Sequence, residues 1–280
     1  MKQFSIAGMQ LNLEYSNNLD LIETKTRQLM KRFPWVQMVI LSELAVGGTD
    51  KSEEYSLEEN LPRLKKIANE LSIWYLPGSF YDLRNERIEN TAPVISPEGE
   101  LVTKCIKTYP FLPYEKGVEG GDEACVFDVP NVGKFGVHIC YDLWFPESSR
   151  ALAMKGAQVI LHPSLTDTCD RDVEKIMARA TAVQQQCYYI DVNGGGNQGH
   201  GLSIAIGPEG EVLHEASIGE ETILLELDLE KVDRTRRRGL RGLGQPLKSF
   251  RDNPSPFNGK ETVDKQYLDS LGEVEIPEKE

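Results

Sequence analysis

The sequence predicts an α/β fold, and three observations carry that prediction. Short apolar or alternating runs of strand length recur along the whole chain, and amphipathic helical patterns fall between them. The third is that two stretches resemble each other, VISPEGELVTK at 94–104 and AIGPEGEVLHE at 205–215. Each reads as a β-hairpin with Pro-Glu-Gly at its turn, where Gly99 or Gly210 supplies a positive φ. Shared turn chemistry accounts for a tetrapeptide match. The alternating flanks favour a pseudo-repeat of two similar half-sheets.

Taken in order, Phe4–Leu11 alternates like a strand, and Asn18–Arg32 follows with Leu19, Ile22, Leu29 and Met30 at helical spacing. Val36–Leu41 is an apolar strand. Leu57–Leu71 is a helix carrying Leu61, Leu64, Ile67, Ala68 and Leu71 on one face. Trp74–Ser79, Thr91–Ser96, Leu101–Lys107, Ala124–Val129 and Phe135–Cys140 read as strands. Pro146–Lys155 is a helix announced by Pro146 and Glu147, since proline and an acid suit a helix's first turn. Gln158–His162 is a strand and Val173–Gln186 a helix. Strands then follow at Tyr188–Val192, Leu202–Ile206, Val212–Glu215 and Thr222–Leu227. No linker divides the chain before about residue 250, so the reading is one domain, 1–250, and a tail, 251–280. Just ahead of the tail, GLRGLGQPLKSFRD is too apolar for a free linker and is expected to pack against the domain.

Composition narrows the function. With 40% apolar and 27% charged residues in 280, the chain has material for a sizeable core. No run approaches the roughly 18 apolar residues of a membrane span, and the N-terminus lacks the pattern of a secretory signal. The five cysteines are scattered and form no C-x-x-C pair, so the expected compartment is the cytoplasm. A net charge of −13, from 31 basic and 44 acidic side chains, argues against a nucleic-acid partner. The basic cluster Arg234, Arg236, Arg237, Arg238 and Arg241 reads as a helix end or an interface, because cations suit a helix C-terminus. No Gly-rich nucleotide loop and no clustered metal-ligand set occurs, so no cofactor and no metal are expected.

Chemistry concentrates in GKFGVHICYDLWFPESSRALAMKGAQVILHPS, residues 133–164. An apolar strand runs into Cys140, turns through Tyr141 and Asp142, and enters a helix. A cysteine at such an elbow faces the crevice at the carboxyl end of a sheet, with backbone N–H groups after it for an oxyanion. Read alone, it serves packing as readily as chemistry. Two other segments shift the balance. Glu43 follows a fully apolar strand in VQMVILSELAVGG, where a carboxylate has no packing reason to be. Lys107 ends another strand in LVTKCIKTYPFLPYEKGVEGGDE, ahead of an aromatic, Pro-rich loop holding Glu115. His138 shares a strand face with Cys140, which leaves a Cys–His dyad open beside the reading of a satisfied core histidine.

These three motifs, LSELAVGG, KTYPFLPYEKG and HICYDLWFPE, resemble in order and spacing the nitrilase superfamily of carbon–nitrogen hydrolases, over roughly residues 3–250. The resemblance implies an αββα four-layer sandwich, a triad of Glu43, Lys107 and Cys140, and Glu115 as a second acid. Its implied roles are Glu43 as proton acceptor and donor, Cys140 as nucleophile, and Lys107 with the Tyr141 N–H as oxyanion donors. The sequence departs from the common pattern at Thr108-Tyr109, where relatives often place a histidine second after the lysine. It departs again at His162, where relatives often have Asn or Cys before the proline. The stretch after Cys140 is similar to the amidase and carbamoylase branches, which implies a small carboxamide or N-carbamoyl substrate rather than a nitrile. Candidate pocket residues are Tyr114, Tyr141, Trp144, His162, Thr166 and Asp167, with Asp167 a counter-charge for an amine on the substrate or an ordinary surface acid. A homodimer or larger homo-oligomer is implied by the same resemblance. A metal-dependent hydrolase using His138, His162 or His200, and a catalytically silent binding relative, are the rival classes.

Overall fold

The computed structural model of the chain describes residues 3–84, 87–252, 266, 269–270 and 273. The tail expected at 251–280 therefore lies almost wholly outside the described residues. Two sheets face each other. The first contains β1 (Gln3–Gln10), β2 (Met38–Ile40), β3 (Trp74–Leu76), β4 (Phe80–Arg84), β5 (Arg87–Ile95) and β6 (Leu101–Ile106). The second contains β7 (Val126–Val129), β8 (Gly133–Val137), β9 (Val159–Ser164), β10 (Tyr188–Asn193), β11 (Ile204–Ile206) and β12 (Val212–Glu215). The chain then returns as β13 (Glu221–Asp228) to pair antiparallel with β1 along its whole length, Gln3 opposite Asp228. The first sheet has the order β13-β1-β2-β3-β5-β4 with β6 also on β5, and the second β12-β11-β10-β9-β8-β7.

The helices are α1 (Leu19–Arg32), α2 (Leu57–Leu71), α3 (Pro146–Met154), α4 (Arg171–Gln185), α5 (Leu229–Arg238) and α6 (Pro246–Asp252). Strand alternation sends successive side chains to opposite faces, and each face has its own partner. Phe4, Ile6, Met38, Ile40, Trp74 and Leu76 meet Phe135, Val137, Val159, Leu161 and Ile190 between the sheets. On the outer face of the first sheet, Ala7, Met9, Val39 and Tyr75 pack under Ile22 and Leu29 of α1 and Leu64 and Ile67 of α2. Ile160, Tyr189, Ile204 and Ile206 pack likewise under Leu152 of α3 and Ala178 and Ala182 of α4. The layers are helix, sheet, sheet, helix, as expected. Each fully buried Leu, Ile or Phe contributes roughly 1.5–3 kcal/mol, so the three cores supply the main favourable contribution to the sandwich.

The pseudo-repeat is visible in topology. Three parallel strands, β1-β2-β3, lead to the antiparallel hairpin β5–β6; β8-β9-β10 lead to β11–β12. Both hairpins carry a register shift at the same place relative to the turn, between Val94 and Ile95 and between Ala205 and Ile206. Gly99 and Gly210 both have positive φ, 76° and 83°. β4 and α6 were not foreseen. The Arg236–Arg238 run forms the last turn of α5, where Arg236 donates to the carbonyls of Ala157, Gln185 and Gln186. In the 239–252 arm, Phe250 lies 5.3 Å under the Arg150 guanidinium, so this stretch packs on the domain.

Two further findings bear on the sequence reading. Cys105 and Cys125 form a disulfide, leaving Cys140, Cys169 and Cys187 as free thiols. No spacing rule marks this pair; it joins β6 of the first sheet to the residue just before β7 of the second, a contact that only the packing of the two sheets creates. No helix among the described residues is long and apolar enough to cross a membrane.

Candidate active site

Three strand ends converge. β8 stops at Val137, the chain stays extended through Ile139, and Cys140 opens a 3-10 turn, Cys140–Trp144, that leads into α3. Cys140 adopts φ 45°, a left-handed conformation that costs a residue with a Cβ and persists only where neighbours impose it. Asp142 supplies one such constraint. Its buried carboxylate accepts the Ile139 N–H at 3.0 Å and the Thr108 and Tyr109 N–H groups at 3.0 and 2.9 Å. The elbow is thereby tied to the two residues after Lys107. Burial, against these N–H bonds, pushes the Asp142 carboxyl up to about 6.

Lys107 lies just past β6 and is 1% exposed, which demands anionic partners for its ammonium. Its Nζ donates to Glu43 Oε1 at 2.9 Å and to Glu115 Oε2 at 2.7 Å. Asn90 of β5 bridges the two acids, donating to Glu43 Oε1 at 2.8 Å and Glu115 Oε1 at 3.0 Å. Tyr81 and the Phe111 N–H complete the Glu115 carboxylate at 3.1 and 2.6 Å. Glu43 sits three residues past β2, in a loop whose close packing needs glycine opposite. A Cβ on Gly78, at φ 89°, would stand 2.0 Å from the Ser42 carbonyl.

Burial followed by the Lys107 and Glu115 charges sets Glu43, and the net effect holds its carboxyl above the usual range. Glu115 is also buried, but Lys107, the Phe111 N–H and Asn90 outweigh that and hold it low. Burial opposes the Lys107 charge, yet Glu43, Cys140 and Glu115 raise it well above an ordinary lysine. Burial and the Glu43 charge push the Cys140 thiol well up, against Lys107. The resting arrangement is a neutral thiol whose Sγ donates to the Leu165 carbonyl at 3.9 Å, close enough to Glu43 and Lys107 to feel both charges. It is no preformed thiolate pair. The Cys105–Cys125 bond spans the segment carrying both Lys107 and Glu115.

A small cavity of about 60 Å³ opens beside Cys140, lined among others by Tyr141, Trp144, Thr166 and Asp167, all four foreseen as pocket residues. Tyr114 is not on this lining. It is 61% exposed and stacks on Phe111 with centroids 4.9 Å apart, and Phe111 takes the wall. His162 is a correction: it is 0% exposed, behind Cys140 rather than on the cavity lining. The sequence placed it at a strand end, but β9 continues to Ser164, which carries His162 into the interior. Leu165 and Glu174 line the cavity unforeseen; Asn90, Tyr81 and Asp142, equally unforeseen, do not line it but hold Glu115, Glu43 and the elbow by hydrogen bonds. Asn90 was legible only as a polar residue on an otherwise apolar strand face. Glu174 lay on the polar side of a helix pattern, and nothing there marked it.

His138 does not form a dyad with Cys140. It is buried, with Nδ1 3.3 Å from the Tyr189 hydroxyl and Nε2 3.1 Å from Ser148 Oγ, and burial and His162 push its imidazole down to about 3. Among the described residues, no group of three or more His, Cys, Asp or Glu side chains is arranged to hold a metal ion.

Comparison with known proteins identifies the family. The carbon-nitrogen hydrolase family model matches residues 5–237. Omega-amidase NIT3 of Saccharomyces cerevisiae is 30% identical over 246 residues, covering 79% of this chain and 84% of that protein. The hydrolase in the agr operon of Staphylococcus lugdunensis is 27% identical over 212 residues, 71% of this chain and 91% of that one. The crystal structure of Saccharomyces cerevisiae Nit3, of branch 10 of the nitrilase superfamily, superposes with a TM-score of 0.76 at 25% identity, covering 94% of this chain and 97% of that one. The amidase NitN of Nesterenkonia sp. AN1 gives 0.73 at 26%, over 85% and 98%. The chain belongs to the carbon-nitrogen hydrolase family, on the amidase-like side of the nitrilase superfamily.

Proposed function

We propose that the chain hydrolyses the C–N bond of a small carboxamide or N-carbamoyl compound, with Cys140 as nucleophile, Glu43 as proton carrier, and Lys107 and Glu115 as its charged frame. The observation that carries this reading is the buried Lys107 ammonium held at 2.9 and 2.7 Å between Glu43 and Glu115, with the buried Cys140 thiol close enough to feel the Glu43 and Lys107 charges. A related amidase captured with acrylamide added to its active-site cysteine supports a thiol nucleophile.

For a carboxamide the steps are as follows. Glu43 takes the thiol proton as Sγ attacks the carbonyl carbon, and the carbonyl electron pair moves to oxygen. The Lys107 ammonium and the Tyr141 N–H stabilise that oxyanion. Collapse breaks the C–N bond, and the proton held by Glu43 leaves with ammonia. Glu43 next takes a proton from water, whose oxygen attacks the thioester; the C–S bond breaks and sulfur recovers the proton. The products are a carboxylic acid and ammonia. A raised Glu43 carboxyl suits both halves, since it must accept and return a proton near neutral pH. Ammonia release from aliphatic amides, dicarboxylic monoamides, N-carbamoyl compounds and a nitrile, with Cys140→Ala alongside, tests the reading. Equal release by parent and alanine variant would refute it.

The reading includes an assembly of at least two copies, and gel filtration showing only a 31.5 kDa species would contradict that part. It also includes a cytoplasmic location. The Cys105–Cys125 bond is of a kind rare in that compartment, so thiol trapping in freshly lysed cells tests this part: a fully oxidised pair would count against it.

A further inference from the structure

His162 lies behind the nucleophile with both ring nitrogens engaged. Nε2 is 2.9 Å from the Cys140 carbonyl oxygen, and Nδ1 is 3.0 Å from Asp191 Oδ1 on the neighbouring strand β10. A carbonyl oxygen only accepts. Asp191 is ionised, because its other oxygen is paired with Arg171, so it too only accepts. A ring between two acceptors must donate from both nitrogens, and is therefore an imidazolium. Burial opposes that charge, but Asp191, the Cys140 carbonyl and Glu174 outweigh it and hold the imidazole above its ordinary range.

The charges facing His162 form an alternating buried chain. Asp191 comes from β10, and Arg171 from α4 pairs with both Asp191 and, at 3.1 Å, Glu174. His138 of the nucleophile strand approaches within 6.3 Å, ring to ring, and is neutral; Asp142 also feels the imidazole charge. Two cations and two anions balance through Glu174, Arg171, Asp191 and His162. That balance lets a charged ring persist at 0% exposure.

The consequence runs through one peptide unit. The Cys140 carbonyl and the Tyr141 N–H share a planar trans amide, so they point in opposite directions. A donor gripping that carbonyl from the interior turns the Tyr141 N–H towards the cavity that Tyr141 lines. A charged donor on the carbonyl also polarises the amide and strengthens its N–H as a donor. We propose that His162 is a positioning residue, an imidazolium that aims and polarises the Cys140–Tyr141 peptide so that its N–H meets the developing oxyanion. It also holds Cys140 at its positive φ.

This inference rests on the amidase reading above, and the test separates the two. Gln at 162 keeps a donor near the Nε2 position; Asn reaches only the Nδ1 position. With the panel amide that is hydrolysed fastest, His162→Asn should lower kcat about 10- to 100-fold with KM within about twofold, because the lost interaction acts only in the transition state. His162→Gln, which restores the aim of the donor but not its charge, should recover part of that loss. Equal losses in both variants would assign the effect to packing and overturn the proposal, as would parent-like kcat in His162→Asn. The folded parent supplies an independent readout. Nitrogen-15 NMR should show both ring nitrogens of His162 protonated at pH 8, and a neutral ring there would overturn the proposal. Cys140→Ala runs alongside. Ammonia release by that variant sinks the underlying mechanism, whereas a silent alanine variant with a normal His162→Asn sinks this inference alone.

Discussion

Replacing Glu115 by Gln removes one charge and one acceptor oxygen from the buried site. Two carboxylates, Glu43 and Glu115, surround one ammonium, Lys107, so the charged frame carries one net negative charge in the interior. The variant neutralises it. With the Gln oxygen at the Oε2 place, the 2.7 Å contact to Lys107 Nζ loses its charge assistance and the amide nitrogen at the Oε1 place no longer accepts from Asn90, together a loss of about 1.5–3 kcal/mol. Relief of the like-charge pair offsets much of that cost in stability, and Gln still accepts from the Phe111 N–H. The melting temperature is therefore expected to move by only a few degrees. Activity has no such offset. Lys107 turns fully to Glu43, whose carboxyl loses the raising influence of Glu115 and becomes a weaker base. If the lost interaction is spent in the transition state, kcat falls roughly 10- to 150-fold. The acid limb of the kcat/KM profile, which requires Glu43 ionised, should move to lower pH. Steady-state ammonia release across pH, with thermal melts of both proteins, is the assay. A variant with kcat within twofold of the parent and an unmoved acid limb would refute the frame proposed for Lys107.

Three other outcomes are expected. His138 is held neutral by burial, its imidazole pushed down to about 3 against 6.5 when unfolded, so its contribution is present above pH 6.5 and lost as pH falls towards 3. Stability should fall by at most about 1.4 kcal/mol per pH unit from this group, and His138→Gln should flatten that slope in urea titrations while leaving turnover near the parent's. Reducing the Cys105–Cys125 bond, or replacing both residues with Ser, opens a loop of sequence separation 20 and should cost about 3 kcal/mol, read by denaturant melts with and without reductant. Asp142→Asn keeps an acceptor for only part of its three N–H partners and should lower kcat more than it raises KM, because it loosens the elbow from the Lys107 segment. A parent-like kcat would show that the tie does not matter for catalysis.

The sequence announced the parts of this fold whose signal is local. Val212–Glu215 and Leu57–Leu71 have the observed limits because alternation and helical spacing end at clear turn residues. The Pro-Glu-Gly hairpins foretold a repeat that topology bears out, even to the matching register shifts. Glu43, Lys107 and Cys140 stood out because each ends or follows an apolar strand, whereas Glu115, in a loop, was marked only by the family resemblance. What stayed hidden depends on long-range pairing. The Cys105–Cys125 bond joins segments of two different sheets that only their packing face to face brings together. Asn90 links Glu43 and Glu115 across sequence separations of 47 and 25, beyond any local pattern. His162 was misplaced by two residues of strand. That error alone moved it from the cavity wall to the interior.

The central claim is that Cys140 carries the acyl group. The direct measurement is intact-protein mass spectrometry after acid quench during turnover of a panel amide, followed by peptide mapping. The expected result is a mass increment equal to the acyl fragment, confined to the peptide containing Cys140. It should be absent from Cys140→Ala, whose ammonia release should fall at least about 10³-fold. An acyl group mapped to another residue, or undiminished ammonia release by Cys140→Ala, would contradict the account.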